Sequence, residues 1–452
     1  MDKTMRMNSR PFGLARIATI AALALSLAGC GIFGGDGEPV TPTVGNREPI
    51  LSRIAGAVAP DPNLANVTVV LPPGRENVDW PQGGGTASKA YGHLMLSQTP
   101  QRVWTAQIAG ASKKRRLAAS PVIGNGTLFA VDTSGTVHAF DAASGARRWS
   151  HQIELASNMQ DSAFGGGATF DNGRVYATNG VGDVVALDAS NGSELWRVKP
   201  AGPLRGPPTV AFGTVFAMTQ DNQIVALNSN DGSVTWQDSA SIGQSGVFGV
   251  AAPAAGQGTV VAGYSSGELV AYRYENGRNL WSDALARTSI STQVGTLTDV
   301  DADPIIDEGR VFALGQGGRM AAYELVTGQR IWELPLAGIS TPAISGEWIF
   351  TLTDDARLLA IQRSTGRIRW ITQLEAFRDP EDREGPIFWT GPVLANNRLW
   401  VASSRGLLYS TDVATGTATQ YAEIGAPVSL APVVANQMLY ILGDDGRITA
   451  FR

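Results

Sequence analysis

The chain is poor in the residues that build metal and redox sites. Its 452 residues include one cysteine, Cys30, and three histidines, His93, His138 and His151. A single cysteine excludes an intramolecular disulfide and a thiolate metal cage. Basic residues number 35 and acidic residues 40, which gives a net charge of −5. This balance offers no basic field to attract nucleic-acid phosphates.

Glycine is abundant, and apolar residues are sufficient for a large core. The chain contains 53 glycines, 8% aromatic and 43% hydrophobic residues. This composition is typical of a turn-rich β protein.

The first thirty residues have the pattern of an export signal. Basic residues precede a largely apolar run at 17–28, which is shorter than the roughly 20 residues of a membrane span. The run ends in Leu27-Ala28-Gly29-Cys30, which resembles the lipobox of bacterial lipoproteins. That resemblance implies a signal peptide at 1–29 and a fatty acyl (palmitate) anchor on Cys30. Gly31, where aspartate would retain many lipoproteins in the inner membrane, favours the outer membrane.

Residues 30–79 are rich in glycine, proline and acidic residues, and we interpret them as the lipidated cysteine and a flexible tether. One interpretation is a disordered spacer between the membrane and a globular body. The alternative is that residues 66–71, NVTVVL, dock on that body.

Residues 80–452 contain one repeat, eight times. Each unit predicts three short strands separated by turns, followed by a fourth strand that ends in an aromatic residue. A unit of four strands has the size of a propeller blade. The last unit stops at the C-terminus before its aromatic residue, whereas Trp104 has no unit of its own. The sequence therefore predicts an all-β, eight-bladed propeller closed by the N-terminal strand around Trp104. The closing aromatic residues, expected to be structural, are Trp104, Trp149, Trp196, Trp236, Trp281, Trp332, Trp370 and Tyr421.

The repeat A-[LFY]-[DN]-x-x-x-G-x-x-x-W, as in residues 186–196, is similar to that of pyrroloquinoline quinone (PQQ) dehydrogenases, which are eight-bladed propellers. Those enzymes carry an adjacent-cysteine disulfide and a calcium site, whereas this chain has neither a cysteine pair nor a carboxylate cluster. We therefore expect no enzyme activity, no cofactor and no metal site.

The lipobox, the tether and a single propeller together resemble the lipoprotein family of the outer-membrane β-barrel assembly (BAM) machinery. The most specific stretch contains Leu297, Asp299, Val300, Asp301 and Pro304. Residues 77–94 resemble alphaproteobacterial versions.

This resemblance implies a scaffold on the periplasmic face of the outer membrane. It would bind the periplasmic POTRA domains of the barrel-inserting subunit BamA, join the rest of the BAM complex and help to deliver or arrange nascent outer-membrane proteins. The implied contact residues are Asp299, Asp301 and Leu297 in one loop, and Val247 and Phe248 in another. Phe248 stands where the family often has arginine, which suggests a more apolar contact.

Other interpretations remain open. Asp299 and Asp301 could cap turns, and Val247 and Phe248 could be core residues. The insertion at 375–389 could cover a blade or form a second contact surface. At the level of the whole protein, the alternatives are a periplasmic ligand-binding propeller or a PQQ-dependent dehydrogenase.

Overall fold

A computed structural model describes residues 58–155, 157–241, 251–285 and 299–452. These residues form 34 β-strands and two short 3₁₀ helices, Pro62–Leu64 and Ser157–Ser162. The strands make eight four-stranded antiparallel sheets and one small hairpin, which confirms the predicted eight-bladed propeller. No helix in the described part of the chain has the length and apolar character to cross a bilayer.

Each blade uses four strands in chain order, except that the last blade borrows its outer strand from the N-terminal side. The strands of blades 1 to 4 are β2 (Val122–Gly124), β3 (Thr127–Val131), β4 (Thr136–Asp141), β5 (Arg147–Gln152); β6 (Ala168–Asp171), β7 (Arg174–Thr178), β8 (Val184–Asp188), β9 (Glu194–Val198); β10 (Thr209–Ala211), β11 (Thr214–Met218), β12 (Gln223–Asn228), β13 (Val234–Ser239); and β14 (Ala254–Gly256), β15 (Thr259–Gly263), β16 (Glu268–Arg273), β17 (Asn279–Ala284).

The strands of blades 5 to 8, with the hairpin β26–β27, are β18 (Ile305–Asp307), β19 (Arg310–Gly315), β20 (Arg319–Glu324), β21 (Arg330–Leu334); β22 (Ala343–Ser345), β23 (Trp348–Leu352), β24 (Arg357–Gln362), β25 (Ile368–Gln373); β26 (Phe377–Asp379), β27 (Glu384–Pro386); β28 (Trp389–Ala395), β29 (Arg398–Ser403), β30 (Leu407–Asp412), β31 (Ala418–Glu423); and β32 (Val433–Ala435), β33 (Met438–Leu442), β34 (Arg447–Phe451) with β1 (Arg102–Gln107).

Burial follows the position of a strand in its blade. The four central residues of β12 are buried, whereas in β13 only Trp236 is buried. The first strands of neighbouring blades approach one another, so they lie nearest the centre of the ring, and the fourth strands lie outermost. The core is therefore built between blades, where the second and third strands of adjacent sheets pack face to face.

The ring is closed by β1, as the repeat predicts. β1 pairs with β34 in an antiparallel ladder, and Gln101 and Arg452 exchange two further backbone hydrogen bonds of 2.7 and 2.8 Å. This pairing completes the last blade with a strand from the other end of the repeat region. It also removes an open sheet edge that could pair with another chain.

The closing aromatic residues connect each blade to the next, and seven of the eight are tryptophans. In all seven, the indole Nε1–H donates to a backbone carbonyl in the turn before the fourth strand of the following blade, and the ring packs on the glycine of that turn. Tyr421 lacks the indole and instead donates its hydroxyl proton to the Pro100 carbonyl at 2.8 Å. The seven indole bonds are Trp104 to Ala142, Trp149 to Ala189, Trp196 to Ser229, Trp236 to Tyr274, Trp281 to Leu325, Trp332 to Arg363 and Trp370 to Val413.

Residues 58–79, which the sequence analysis assigns to the tether, lie against the propeller. Val58 is buried among residues of blades 5 and 6. The Asp61 amide donates to the Ile368 carbonyl at 2.7 Å, and Arg369 Nε donates to the Val67 carbonyl at 2.7 Å. Residues 66–71 therefore contact blade 6 through the Arg369 side chain, and they do not form a strand.

Candidate partner-binding face and ring centre

The chain topology places two sets of loops on the same face of the ring. The connection from the fourth strand of one blade to the first strand of the next lies at the end where the first strand begins. Because successive strands are antiparallel, the turn between the second and third strands lies at that end as well. We call this side the entry face. Residues 299–304 lead into β18 and so belong to it.

Only part of the predicted contact set lies in the described ranges. Cys30, Val247, Phe248 and Leu297 lie outside them, and their proposed roles stay predictions. Asp299 and Asp301 are described, and they stand between blades 4 and 5.

Asp299 is buried, with 2% of its surface exposed. Its carbonyl accepts a hydrogen bond from the Gln316 amide at 2.8 Å, and the next amide, of Val300, donates to the Tyr264 carbonyl at 3.2 Å. The segment is thus held by blade 4 on one side and blade 5 on the other. A buried Asp299 fits the interpretation that this residue stabilises the segment.

Asp301 is only partly buried, yet one of its oxygens is unsatisfied. Its Oδ2 atom is inaccessible to solvent and has no hydrogen-bond partner among the residues that the structure describes. Burial, and then the nearby charges of Asp299 and Asp354, raise the pKa of Asp301 to about 7. Burial and the charge of Asp355 raise the pKa of Asp354 to about 6. An ionised Asp301 is therefore costly in the isolated protein, and a nearby N–H donor or cation would stabilise it.

A third aspartate, Asp303, joins the chain segments that lead into three neighbouring blades. No feature of the sequence singles it out. Its Oδ1 atom accepts from the Ala252 amide at 2.8 Å, and its own amide donates to Thr341 Oγ1 at 3.0 Å. Its Oδ2 atom lies 3.9 Å from Lys89 Nζ. The connections into blades 4, 5 and 6 are therefore joined at one side chain and its backbone.

Residues 77–94 circle the centre of the ring. In seven of the eight blades, they hydrogen-bond to the inner edge of the first strand or to the residue directly after that strand. Followed along the segment, these blades come in ring order: 8, 1, 2, 3, 4, 5 and 7. Backbone groups on these edges would otherwise face inward unpaired. The contacts are Asn77 with Val434 and Asn436, Trp80 with Ile123, Pro81 with Phe170, Gln82 with Val210, Ala87 with Ala255, Ser88 with Ile306, and Leu94 with Leu394 and Asn396.

This central segment is packed as tightly as a core element. Trp80 and Tyr91 are 4% and 5% exposed, with ring centroids 4.9 Å apart. Lys89 is 1% exposed, and its Nζ donates to the Gly83 carbonyl at 2.8 Å and to Thr209 Oγ1 at 3.1 Å. A buried lysine has no signature in a single sequence, since lysine is among the residues that are most often exposed.

The insertion at 375–389 forms the hairpin β26–β27 and the start of β28. Trp389 is buried against Tyr409, and its indole donates to the Glu375 carbonyl at 2.7 Å. Phe388 beside it is 66% exposed. The insertion therefore combines a buried cover with one exposed aromatic residue.

The described residues show no arrangement for metal chemistry. Across these ranges, no three His, Cys, Asp or Glu side chains come together in a way that could hold a metal ion. His138 is hydrogen-bonded to Asp132 through Nε2 and to Arg147 through Nδ1, both at 2.8 Å. These contacts fix its ring within blade 1.

The fold and its repeats define the class of protein: an eight-bladed β-propeller built from PQQ-type repeats. A family model described as "Outer membrane protein assembly factor BamB" matches residues 90–163, 134–372 and 378–452. The chain belongs to this BamB family.

Individual relatives agree with this assignment. The outer membrane protein assembly factor BamB of Salmonella typhimurium is 29% identical over 356 residues, which are 78% of this chain and 88% of that protein. Its Escherichia coli K12 counterpart is also 29% identical, over 77% of this chain and 88% of that protein.

Solved structures show the same fold. BamB from Moraxella catarrhalis matches with a TM-score of 0.66 at 20% identity, over 78% of this chain and 99% of that one. The quinohemoprotein alcohol dehydrogenase of Comamonas testosteroni matches with a TM-score of 0.64 at 15% identity, over 88% of this chain and 83% of that one. The propeller is therefore shared by assembly factors and enzymes, and the fold does not choose between them.

Proposed function

We propose that the protein is a scaffold lipoprotein of outer-membrane protein assembly. Anchored through Cys30 on the periplasmic face of the outer membrane, it binds the POTRA domains of BamA within the BAM complex and catalyses no reaction. The relatives named as outer membrane protein assembly factors support this role.

The observation that carries the proposed contact is the unsatisfied carboxylate of Asp301. Its buried Oδ2 atom has no partner in the described part of the chain, and Asp301 itself lies on the entry face, within the held segment at 299–303. The side chain as a whole is only partly buried, so a partner that supplies an arginine, a lysine or a backbone N–H can reach its exposed part and compensate the charge of the carboxylate. Charge-assisted hydrogen bonds of this kind are short and strong.

This contact has a definite pH dependence. The pKa of Asp301 is raised to about 7 in the free protein, and a cationic partner would lower it in the complex. Binding then releases a proton, so the affinity should rise from pH 5 to about pH 7 and level off at higher pH. A pH-independent affinity over this range would argue against Asp301 as the contact.

The proposal is tested by purifying the tagged, lipidated protein from its own envelope and identifying co-purifying proteins by mass spectrometry. Wild type runs beside Asp301→Arg and a matched control, Glu381→Arg, which changes an exposed acid on the hairpin insertion. We expect a BamA-like protein with wild type and the control, and its loss with Asp301→Arg, with circular dichroism confirming that each variant folds.

The outcomes distinguish the scaffold role of the protein from the assignment of Asp301 as its contact residue. A BamA-like protein retained by all three forms would keep the scaffold role and reject Asp301 as its contact. Its absence from wild type, under conditions that preserve other envelope complexes, would contradict the scaffold role.

A ligand-binding or PQQ-dependent propeller is less well supported. The inner strand edges of seven blades are hydrogen-bonded to residues 77–94 of the same chain, so these edges are already occupied. Titration of the protein with PQQ and calcium should therefore produce no bound-quinone absorbance. A saturable quinone spectrum would revive the enzyme interpretation.

A further inference from the structure

We propose that Lys89, on the central segment at 77–94, positions the entry-face residues that meet the assembly partner, by holding Asp303 and the strand entry at Ala252–Pro253. This inference rests on the proposed function for its partner, but the coupling itself can be measured in the isolated protein.

Lys89 is buried and contacts the first strand of blade 3. Its side chain has 0% exposure, and it reaches away from its own segment to Thr209 Oγ1 in the first strand of blade 3. The Thr209 hydroxyl in turn donates to the Pro253 carbonyl at 2.6 Å. Lys89 is thus linked through one hydroxyl to the residue that precedes β14.

Asp303 links Lys89 to the entry of blade 4. Its side chain is 16% exposed and lies 3.9 Å from the Lys89 ammonium. The same carboxylate accepts from the Ala252 amide, so Lys89 acts on Ala252 through Asp303 and on Pro253 through Thr209. Two adjacent residues at the entry to blade 4 are therefore held by one buried cation.

The Lys89–Asp303 pair also holds the segment that carries Asp299 and Asp301. Asp303 is two residues from Asp301 and four from Asp299, and its amide also binds Thr341 in the connection to blade 6. A carboxylate buried against apolar surroundings needs a compensating charge or hydrogen bonds. Without Lys89, Asp303 must take up a proton or turn towards solvent, and either change alters the 299–303 segment and its bond to Ala252.

No neighbouring residue in the central segment substitutes for Lys89. Tyr91, two residues on, faces blade 7, where its hydroxyl lies 3.3 Å from the Pro392 carbonyl and 3.3 Å from the Leu394 amide. Tyr91→Phe removes these contacts without touching Asp303, and so provides a matched control in the same segment.

The test compares wild type with Lys89→Met, Asp303→Asn, the double variant Lys89→Met/Asp303→Asn, and Tyr91→Phe. Hydrogen exchange in the free protein reports the Ala252 and Asp303 amides, and the dissociation rate of the purified BamA periplasmic domains reports the partner surface. We expect Lys89→Met to accelerate both by about tenfold, with Tyr91→Phe near wild type. The effect of the double variant should be smaller than the sum of the two single effects, since both single variants remove the shared Lys89–Asp303 contact.

Three results would overturn the proposal: unchanged exchange at Ala252 and Asp303 in Lys89→Met, additive effects of Lys89→Met and Asp303→Asn, or faster exchange with an unchanged dissociation rate. A wild-type protein that does not bind the BamA domains refutes the proposed function instead. In that case the role of Lys89 in positioning a partner surface is rejected as well. The exchange data still decide whether Lys89 holds Asp303.

Discussion

Two glycines of blade 3 allow the contribution of one tryptophan–glycine contact to be isolated. Gly232 and Gly213 have φ values of +73° and +72°, both in the left-handed region. A Cβ atom on Gly232 would lie 2.7 Å from Cε3 of Trp196, whereas a Cβ atom on Gly213 would have nothing within 4 Å. Alanine at either position has the same backbone cost, but only Gly232→Ala disturbs the contact between blades 2 and 3.

The expected losses of unfolding free energy follow from the backbone cost of alanine and from the contact with the Trp196 ring. An alanine in the left-handed region costs about 1–2 kcal/mol, partly offset by the lower entropy of the unfolded chain. Gly213→Ala should therefore lose about 1 kcal/mol of unfolding free energy. Forcing a methyl group against the Trp196 ring adds about 1–3 kcal/mol of overpacking, so Gly232→Ala should lose about 2–4 kcal/mol.

Urea denaturation followed by tryptophan fluorescence measures the difference. The two variants should share the wild-type dependence on urea, with the midpoint of Gly232→Ala clearly below that of Gly213→Ala. Equal midpoints for the two variants would refute the reasoning that the tryptophan–glycine contacts hold neighbouring blades together.

Three further predictions follow from particular residues. Trp80→Ala should lower the free energy of unfolding, measured by urea denaturation, by about 3–5 kcal/mol, since it leaves a cavity at a buried position in the ring centre. As a control, Val78→Ala, at a position that is 63% exposed, should stay within about 0.5 kcal/mol of wild type. Trp196→Phe should cost about 1–3 kcal/mol, because it leaves the Ser229 carbonyl without the indole donor and shrinks the plug; no loss would argue against that bond. Asp301→Asn should match wild type near pH 4 and exceed its stability by on the order of 2–4 kcal/mol at pH 8, because the wild-type protein loses stability as the pH rises from the unfolded-state pKa of about 4 to the folded-state pKa of about 7; the reverse trend would contradict the assignment.

Much of the fold could be predicted because it repeats. An aromatic residue that closes each complete unit, a glycine turn before it and a truncated last unit together imply eight blades and closure by the strand around Trp104. Each of these signals is local, and β1 confirms the closure by pairing with β34. The repeat also places the glycine turns, but not the partners of the indole N–H groups, which lie in the following blade.

The path of residues 58–94 could not be predicted in the same way. Gln82 and Ser88 bind backbone groups of strands that are more than a hundred residues away, and such contacts leave no periodicity in the segment itself. The burial of Lys89 depends on Thr209 and Asp303, which only the closed ring brings together. The sequence analysis did identify the stretch around Asp299 and Asp301, but it did not distinguish the buried Asp299 from the unsatisfied Asp301.

We propose that the entry face at residues 299–303 meets the barrel-assembly partner. The most direct test is hydrogen exchange of the wild-type protein alone and in the presence of purified BamA periplasmic domains. We predict protection of the amides in the 299–303 segment and no change in the hairpin strands β26 and β27. Binding that leaves residues 299–303 unprotected, or that protects the hairpin instead, would show that the partner does not meet the entry face at this segment.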